Sequence, residues 1–247
     1  MIDFRRIRRA YLMPVLKLIR RVLNVFKRYA YPDYVTPKSV YQIYVEDQNY
    51  KCFEHFKDLL KTSMLLSTKK IREHAIVEAI KNDNNFKFYY LEFGVFSGTT
   101  ISFFSKYLNN KKIFGFDSFE GLKEHWFGTT ITKGTFDLKK KIPDLPDNVI
   151  PVKGWIQDTL PPFLIEKDPK INFVHIDVDT YETTKFILDL IKPRLVKGAL
   201  ILFDELYNFE GWDVGEYKAL AEVFKENEYK FEAFAYDGQQ ALIKILN

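Results

Sequence analysis

Downstream of residue 85, short apolar runs rich in aromatic residues alternate with stretches of helical spacing. The runs cover residues 88–93, 112–116, 149–152, 171–176 and 199–203. This alternation predicts a mostly parallel sheet with helical crossovers, in which ligands bind at the carboxyl ends of the strands. The C-terminal region departs from the pattern. Residues 230–235 and 241–246 flank Asp237-Gly238, a hairpin signal, so the last strand is expected to run antiparallel to its neighbour. Upstream, Ile71, Ala75, Val77, Ala79 and Ile80 predict a helix that ends at the polar run Asn82-Asp83-Asn84-Asn85. Tyr31-Pro32-Asp33 and Thr36-Pro37-Lys38 break a still earlier helix and open a mainly helical stretch to about Ser67. The expected division is a helical extension over residues 1–67 and an α/β domain over 68–247.

That earlier helix is basic and amphipathic. Tyr11, Leu12, Val15, Leu16, Ile19, Val22, Leu23 and Phe26 recur at helical spacing, with arginines and lysines on the other side. Up to residue 30, Arg5, Arg6, Arg8, Arg9, Lys17, Arg20, Arg21, Lys27 and Arg28 stand against Asp3 alone. The whole chain is only +4, so the body that follows is mildly acidic. Three readings are open: the segment over residues 1–30 lies on an anionic membrane surface, packs against a second subunit in a homo-oligomer, or covers the core. Basic residues interrupt the apolar positions and no small-residue cleavage site follows, which excludes a secretory signal.

Composition narrows the chemistry. The 247 residues are 47% hydrophobic and 28% charged, enough for a packed core. A single cysteine, Cys52, excludes a disulfide framework and a cysteine zinc cluster. The histidines His55, His74, His125 and His175 show no metal-binding spacing. No apolar stretch reaches the ~20 residues needed to cross a bilayer. A basic excess confined to one end argues against a nucleic-acid surface. A cytoplasmic location, if membrane-associated then at the inner face, is expected.

Five motifs carry chemistry. Leu91-Glu92-Phe93-Gly94-Val95-Phe96-Ser97-Gly98 places a glycine turn between an apolar run and a helix. Gly94 and Gly98 permit close approach of a ligand, but their spacing is not the dinucleotide fingerprint, which disfavours a nicotinamide enzyme. Glu92 would repel a pyrophosphate and attract the ammonium of an amino acid. Phe116-Asp117-Ser118 puts an acid past the second strand, suited to a ribose diol. Together these suggest a nucleoside with a charged amino-acid end. Trp155-Ile156-Gln157-Asp158 offers an amide for an adenine edge and Ile156 for its ring; a plain loop capped by Asp158 competes with that reading. Asp177 and Asp179 follow the fourth run, and Asp204-Glu205 the fifth. Carboxylates converging there would repel one another unless a hard divalent cation such as Mg²⁺ joined them, so Asp177, Asp204 and Glu205 are candidate metal ligands. Asp179 with Glu182 could instead form a capping box, against a role as ligand or base. His175, inside a strand, fits a satisfied core histidine.

With these residues in view, the chain from residue 86 on resembles class I S-adenosylmethionine-dependent methyltransferases, and more closely the macrocin O-methyltransferase family. The pieces that carry the resemblance are Glu92-Phe93-Gly94-Val95-Phe96-Ser97-Gly98, Phe116-Asp117-Ser118-Phe119-Glu120-Gly121-Leu122, His175-Ile176-Asp177-Val178-Asp179-Thr180-Tyr181-Glu182-Thr183-Thr184 and Phe203-Asp204-Glu205. Gly154-Trp155-Ile156-Gln157-Asp158 is also similar to the adenine-contacting loop of metal-dependent catechol O-methyltransferases. The resemblance implies a Rossmann-like sheet of seven strands, helices on both faces, and metal-assisted methylation of a sugar hydroxyl, on a nucleotide-linked sugar or a glycan precursor. It implies cofactor contacts at Glu92, Gly94, Gly98, Asp117, Ser118, Ile156, Gln157 and Asp177. The family pattern has two adjacent aspartates where this chain has Asp204-Glu205, which makes Glu205 the least secure ligand. No lysine of the catechol-enzyme kind stands beside Asp177, so proton removal falls to Asp177, Asp179 or another group. His125-Trp126-Phe127-Gly128 is a candidate acceptor wall, although Trp126 also suits packing. A phenol O-methyltransferase and a non-catalytic cofactor-binding module are the alternatives; retention of the acidic positions speaks against the second.

Overall fold

The computed structural model describes residues 13–30, 37–83, 85, 87–109 and 111–247, the side chains of 26–30 excepted. Arg5, Arg6, Arg8, Arg9, Tyr11, Leu12, the break at Tyr31-Pro32-Asp33, Thr36, Asn84 and Phe86 lie outside the described residues, as do the side chains of Phe26, Lys27 and Arg28. Contacts group residues 1–43 into one unit and 44–247 into another, wider than the expected 68–247. The first unit holds helix α1 (Met13–Ala30) and the start of α2 (Val40–Thr62). Residues 13–25 of α1 are all exposed.

The second unit is a sheet with helices on both faces. Its strands are β1 (Met64–Leu66), β2 (Tyr89–Phe93), β3 (Ile113–Asp117), β4 (Val149–Lys153), β5 (Ile171–Ile176), β6 (Leu195–Phe203), β7 (Tyr229–Ala235) and β8 (Ala241–Ile245). They lie in the order β1-β7-β8-β6-β5-β2-β3-β4. The pairings from β6 through β5, β2 and β3 to β4 are all parallel. The hairpin strand β8 inserts between β7 and β6 and is antiparallel to both, as Asp237-Gly238 predicts. The expected count of seven strands is corrected to eight: Met64-Leu65-Leu66 adds to the edge, parallel to β7. Three residues carry no alternation that a sequence reading can detect, and their partner lies far along the chain.

Alternation along the strands divides the core in two. Leu91, Phe93, Ile201 and Phe203 share one cluster with Phe56 of α2, Leu160 of α5 (Ile156–Lys167), Ile187 of α6 (Tyr181–Ile191) and Leu220 of α7 (Glu216–Val223). The intervening Tyr90, Leu200 and Leu202 join Ile71 and Ala75 of α3 (Thr68–Asn82) and Ile101 and Phe104 of α4 (Thr99–Ser105) on the other face. Helix α3 begins at Ser67, whose hydroxyl accepts from Lys70 N–H at 3.4 Å. Past its end, the Asp83 carboxylate accepts from Lys87 and Phe88 N–H at 2.8 and 3.1 Å, tying the chain down before it enters β2.

Two features of this frame shape the site. Gly94, with φ +87°, follows β2 where β2 and β5 come together; a Cβ there would lie 1.6 Å from the Asp177 carbonyl oxygen. Residues 118–148, between β3 and β4, form neither helix nor strand but fold back on themselves. There Leu122 N–H donates to Thr135 O and Gly134 N–H to Leu122 O, both at 2.9 Å. Gly94→Ala is expected to lower unfolding free energy by more than about 3 kcal/mol, since backbone must move on one strand or the other. Urea denaturation checks it; a variant of wild-type stability would mean the strand ends part easily.

Candidate active site

The strand ends are continued by one further rung each. Gly94 N–H donates to Phe116 O, Asp177 N–H to Phe93 O and Asp204 N–H to Ile176 O, all at 2.9 Å. The turns that follow therefore start from fixed positions. Asp117 joins two of them: its Oδ2 accepts from Val95 and Phe96 N–H at 2.8 and 2.7 Å, and its Oδ1 from Phe119 N–H at 2.6 Å. Ser118, beside it, is buried, and its hydroxyl accepts from Glu120 N–H at 3.1 Å.

Above these turns is a cavity of about 310 Å³, within the range of small-molecule sites. Gly94, Asp117 and Ser118 form part of its floor, with Ile156 and Gln157 of the first turn of α5 beside them. Trp155, not Asp158, is the residue that precedes this helix, so the capped-loop alternative is not what the chain adopts. Leu122, Lys123, Trp126 and Phe136 of the 118–148 segment roof the cavity, and Asp177, Asp179 and Glu205 line it too. Seven of the sequence-selected residues besides these carboxylates were expected at the cofactor, and two of them stand outside the cavity wall. Gly98 is not in the wall; it precedes α4 with φ +80°, and a Cβ there would lie 2.4 Å from Leu145 Cδ2. A further correction concerns Glu92. Its side chain is fully buried, outside the cavity wall, with Oε2 3.2 Å from His175 Nδ1. Period-two alternation explains this, because Leu91 and Phe93 face one side and Glu92 the other.

The acidic residues fall into two overlapping clusters. Candidate ligand atoms of Asp177, Asp179 and Glu205 all lie within 4.8 Å of one another, as do those of His175, Asp177 and Asp204. Asp204 is engaged from behind. Its Oδ1 accepts from Arg72 Nη2 at 3.0 Å, from His175 Nε2 at 3.2 Å and from Gln240 Nε2. The structure thus brings Asp179, rather than Asp204, together with Asp177 and Glu205 in the cavity. Asp179 is buried at φ +62°, a left-handed conformation rare outside glycine. Thr180, not Asp179, is the residue that precedes α6, and it makes no side-chain cap hydrogen bond, so the Asp179–Glu182 capping box does not form. Glu216, the first residue of α7, was not anticipated: it is fully buried, and its Oε2 accepts from Glu205 N–H at 3.0 Å. An acid in the first turn of a helix is an ordinary sequence feature, and nothing local in the sequence marks this one as part of a site. Arg72 and Gln240 were likewise unmarked.

Electrostatics follow from this geometry. Burial, then the charge of Asp204, pushes the Asp177 carboxyl well above the usual range, against the pull of His175. Burial and the same charge raise Asp179 to about 7. Burial, Asp204 and Asp177 raise Glu205, and burial raises Glu216. Asp204 is the exception: burial opposes its charge, but the His175 hydrogen bond and Arg72 hold it below its ordinary value. Burial alone would lower His175, whereas its hydrogen bonds to Asp204 and Glu92 carry it to about 10, so both ring nitrogens donate at neutral pH. An all-oxygen cluster of mutually repelling acids, with Glu205 Oε2 and Glu216 Oε1 unpartnered among the described residues, fits a hard divalent cation.

Two expectations follow. His175→Leu leaves Asp204 and Glu92 buried without their shared partner and is expected to cost about 3–5 kcal/mol by urea denaturation; a neutral effect would remove the charge on this histidine from the account. The folded pKa of Asp179 is about 7 against an ordinary 3.8, and that of His175 about 10 against 6.5. Each raised group contributes stability that is full below its ordinary value and lost as pH climbs through its folded one. In EDTA the thermal midpoint is therefore expected to fall between pH 5 and pH 8, with Mg²⁺ restoring it by several degrees at pH 8 and scarcely at pH 5. A midpoint indifferent to Mg²⁺ at pH 8 would count against cation binding.

Comparison with known proteins matches residues 91–206 to the family model described as a methyltransferase domain. No curated protein matches the sequence significantly. Among solved structures, the calicheamicin methyltransferase CalS11 is similar at a TM-score of 0.60 and 21% identity, over 86% of this chain and 98% of that one. A second CalS11 structure, of the apo TDP-rhamnose 3′-O-methyltransferase of calicheamicin biosynthesis, gives 0.52 and 20% over 85% and 97%. The O-methyltransferase NovP gives 0.55 and 16% over 72% and 79%. The fold is shared with these enzymes. Residues 91–206 are thus similar to a methyltransferase domain, and the sheet with helices on both faces is the Rossmann-like fold of these neighbours.

Proposed function

We propose that this protein transfers a methyl group from S-adenosylmethionine to a sugar hydroxyl with the help of a divalent cation. The observation that carries the reading is the position of Asp177, Asp179 and Glu205 at the wall of the strand-end cavity, next to a second hollow. That hollow, also about 310 Å³, shares Trp126, Asp179 and Thr180 with the first and is lined further by Glu124, Phe127 and Tyr181. Flat aromatic rings with carboxylates suit a polyhydroxylated ring, which offers apolar faces and hydroxyl donors. Similarity to CalS11, a TDP-rhamnose 3′-O-methyltransferase, supports a sugar over a phenol.

When bound, the cofactor supplies an electrophilic methyl group, and a cation supplies charge to lower the pKa of a hydroxyl. The chain does the rest. Asp117 and Ser118 sit where a ribose diol would be held, and Gln157 and Ile156 where an adenine would meet an amide and an apolar surface. Asp177 and Glu205, with Asp179, provide the oxygen ligands. Asp204, although adjacent to Glu205, serves from behind as the anchored anion that keeps His175 charged. Asp177 and Asp179, both at the cavity wall, are the carboxylates placed to take the proton of the acceptor hydroxyl. The roof formed by residues 118–148 limits water and holds the acceptor against the cofactor.

Titration calorimetry with S-adenosylmethionine, in Mg²⁺ and in EDTA, is expected to show saturable one-site binding. A scan of nucleotide sugars should then reveal methyl transfer that EDTA abolishes. Asp177→Ala is expected to reduce turnover at least about 10²-fold while cofactor affinity changes only a few-fold. Cofactor binding with undiminished turnover in Asp177→Ala would overturn the metal role, and absence of cofactor binding by folded protein would overturn the reading as a whole.

A further inference from the structure

Helix α1 takes no part in the site described above, and its side chains are distributed in a way that calls for a partner. At 100° per residue, Lys17, Arg20, Arg21 and Asn24 fall within a sector of about 100°. Val15, Leu16, Leu18, Ile19, Val22, Leu23 and Val25 fill the opposite sector of about 180°. All seven are exposed, from 48% for Ile19 to 62% for Leu18. A contiguous apolar face of this kind marks an interaction surface.

Width and charge identify the partner. Two helices that pair use a narrow seam, two positions in seven, flanked by residues of opposite sign that bridge them. Here the apolar sector covers about half the circumference, and α1 contains no aspartate or glutamate. Two copies side by side would bring like charges together with nothing to offset them. Lys27 and Arg28 follow in sequence, and Arg5, Arg6, Arg8 and Arg9 precede, so the cationic character extends beyond the helix. No described helix is long and apolar enough to cross a membrane. A broad apolar face bordered by a purely cationic one matches the boundary between acyl chains and anionic headgroups, where the helix lies in the plane of the surface.

We infer that α1 binds the surface of membranes containing anionic lipid, seating Leu16, Ile19 and Leu23 among the acyl chains and Lys17, Arg20 and Arg21 at the headgroups. The protein is thereby held where lipid-linked molecules are available to it.

Co-sedimentation of the full chain tests this with two vesicle preparations, phosphatidylcholine alone and equal parts phosphatidylcholine and phosphatidylglycerol. Binding is expected to the second and not to the first, weakening as salt is added. Arg20→Gln with Arg21→Gln should reduce affinity on the order of 10- to 30-fold. Ile19→Glu with Leu23→Glu should abolish it, with an unchanged thermal midpoint, since both side chains are exposed. Failure to bind anionic vesicles, or equal binding by the Glu variant, overturns the inference. So does light scattering that shows a dimer, lost in the Glu variant, in a protein that ignores vesicles: α1 would then pair copies of the chain.

Discussion

Carboxylates brought out of water at neighbouring strand ends repel one another, and this site accommodates four of them, with a fifth from the start of α7, by fixing the charge of one. Asp204 is anchored by Arg72, His175 and Gln240, groups from a helix, a neighbouring strand and the terminal hairpin. With that anion stabilised from behind, Asp177, Asp179, Glu205 and Glu216 are left to share protons or to gather around a cation. The raised pKa values and the fit to a metal are two expressions of one arrangement. The imidazolium of His175 is central to it because its two N–H groups reach Asp204 on one side and Glu92 on the other. A core histidine at this point does more than fill space: it sets which of the acids is negative.

Sheet and helices were largely legible in the sequence, because each strand of the parallel core is an apolar run bounded by polar or glycine-containing turns. The β7–β8 hairpin was legible from Asp237-Gly238. β1 was not, since Met64-Leu65-Leu66 acquires its identity only by pairing with a strand that begins at Tyr229. At the site, sequence order located Asp117, Ser118, Gln157, Asp177, Asp179 and Glu205 on the cavity wall, because residues just past parallel strands must converge. Orientation was harder. Glu92 is one residue out of phase with the cavity, and Asp204 turns toward Arg72, whose arrival depends on how α3 docks. Glu216 comes from a helix with no sequence relation to the strand ends, so only the folded chain reveals its contact with Glu205.

The two hollows that meet at Asp179 are built from different materials. The floor of the strand-end cavity is made by strand ends whose backbones are locked to one another, and Gly94 shows how little room exists there. Part of the wall facing the second hollow comes from residues 118–148, an irregular segment tied by hydrogen bonds within its own fold and by Phe119 and Trp126 packed into the two cores. Under the proposed function, the parts that would handle the reactive group are thus fixed by strand pairing, while those that would meet the acceptor belong to a connection of irregular structure.

That separation bears on how such a domain can diversify. Residues 118–148 leave the sheet at the end of β3 and re-enter it at the start of β4, so an exchange of this stretch between relatives alters the acceptor wall in one step. Asp117 lies just before the exchange point, and its bonds to Val95 and Phe96 would survive the swap. Under the proposed function, new acceptors can then be sampled by recombination at a single connection, while the strand-end carboxylates are inherited intact.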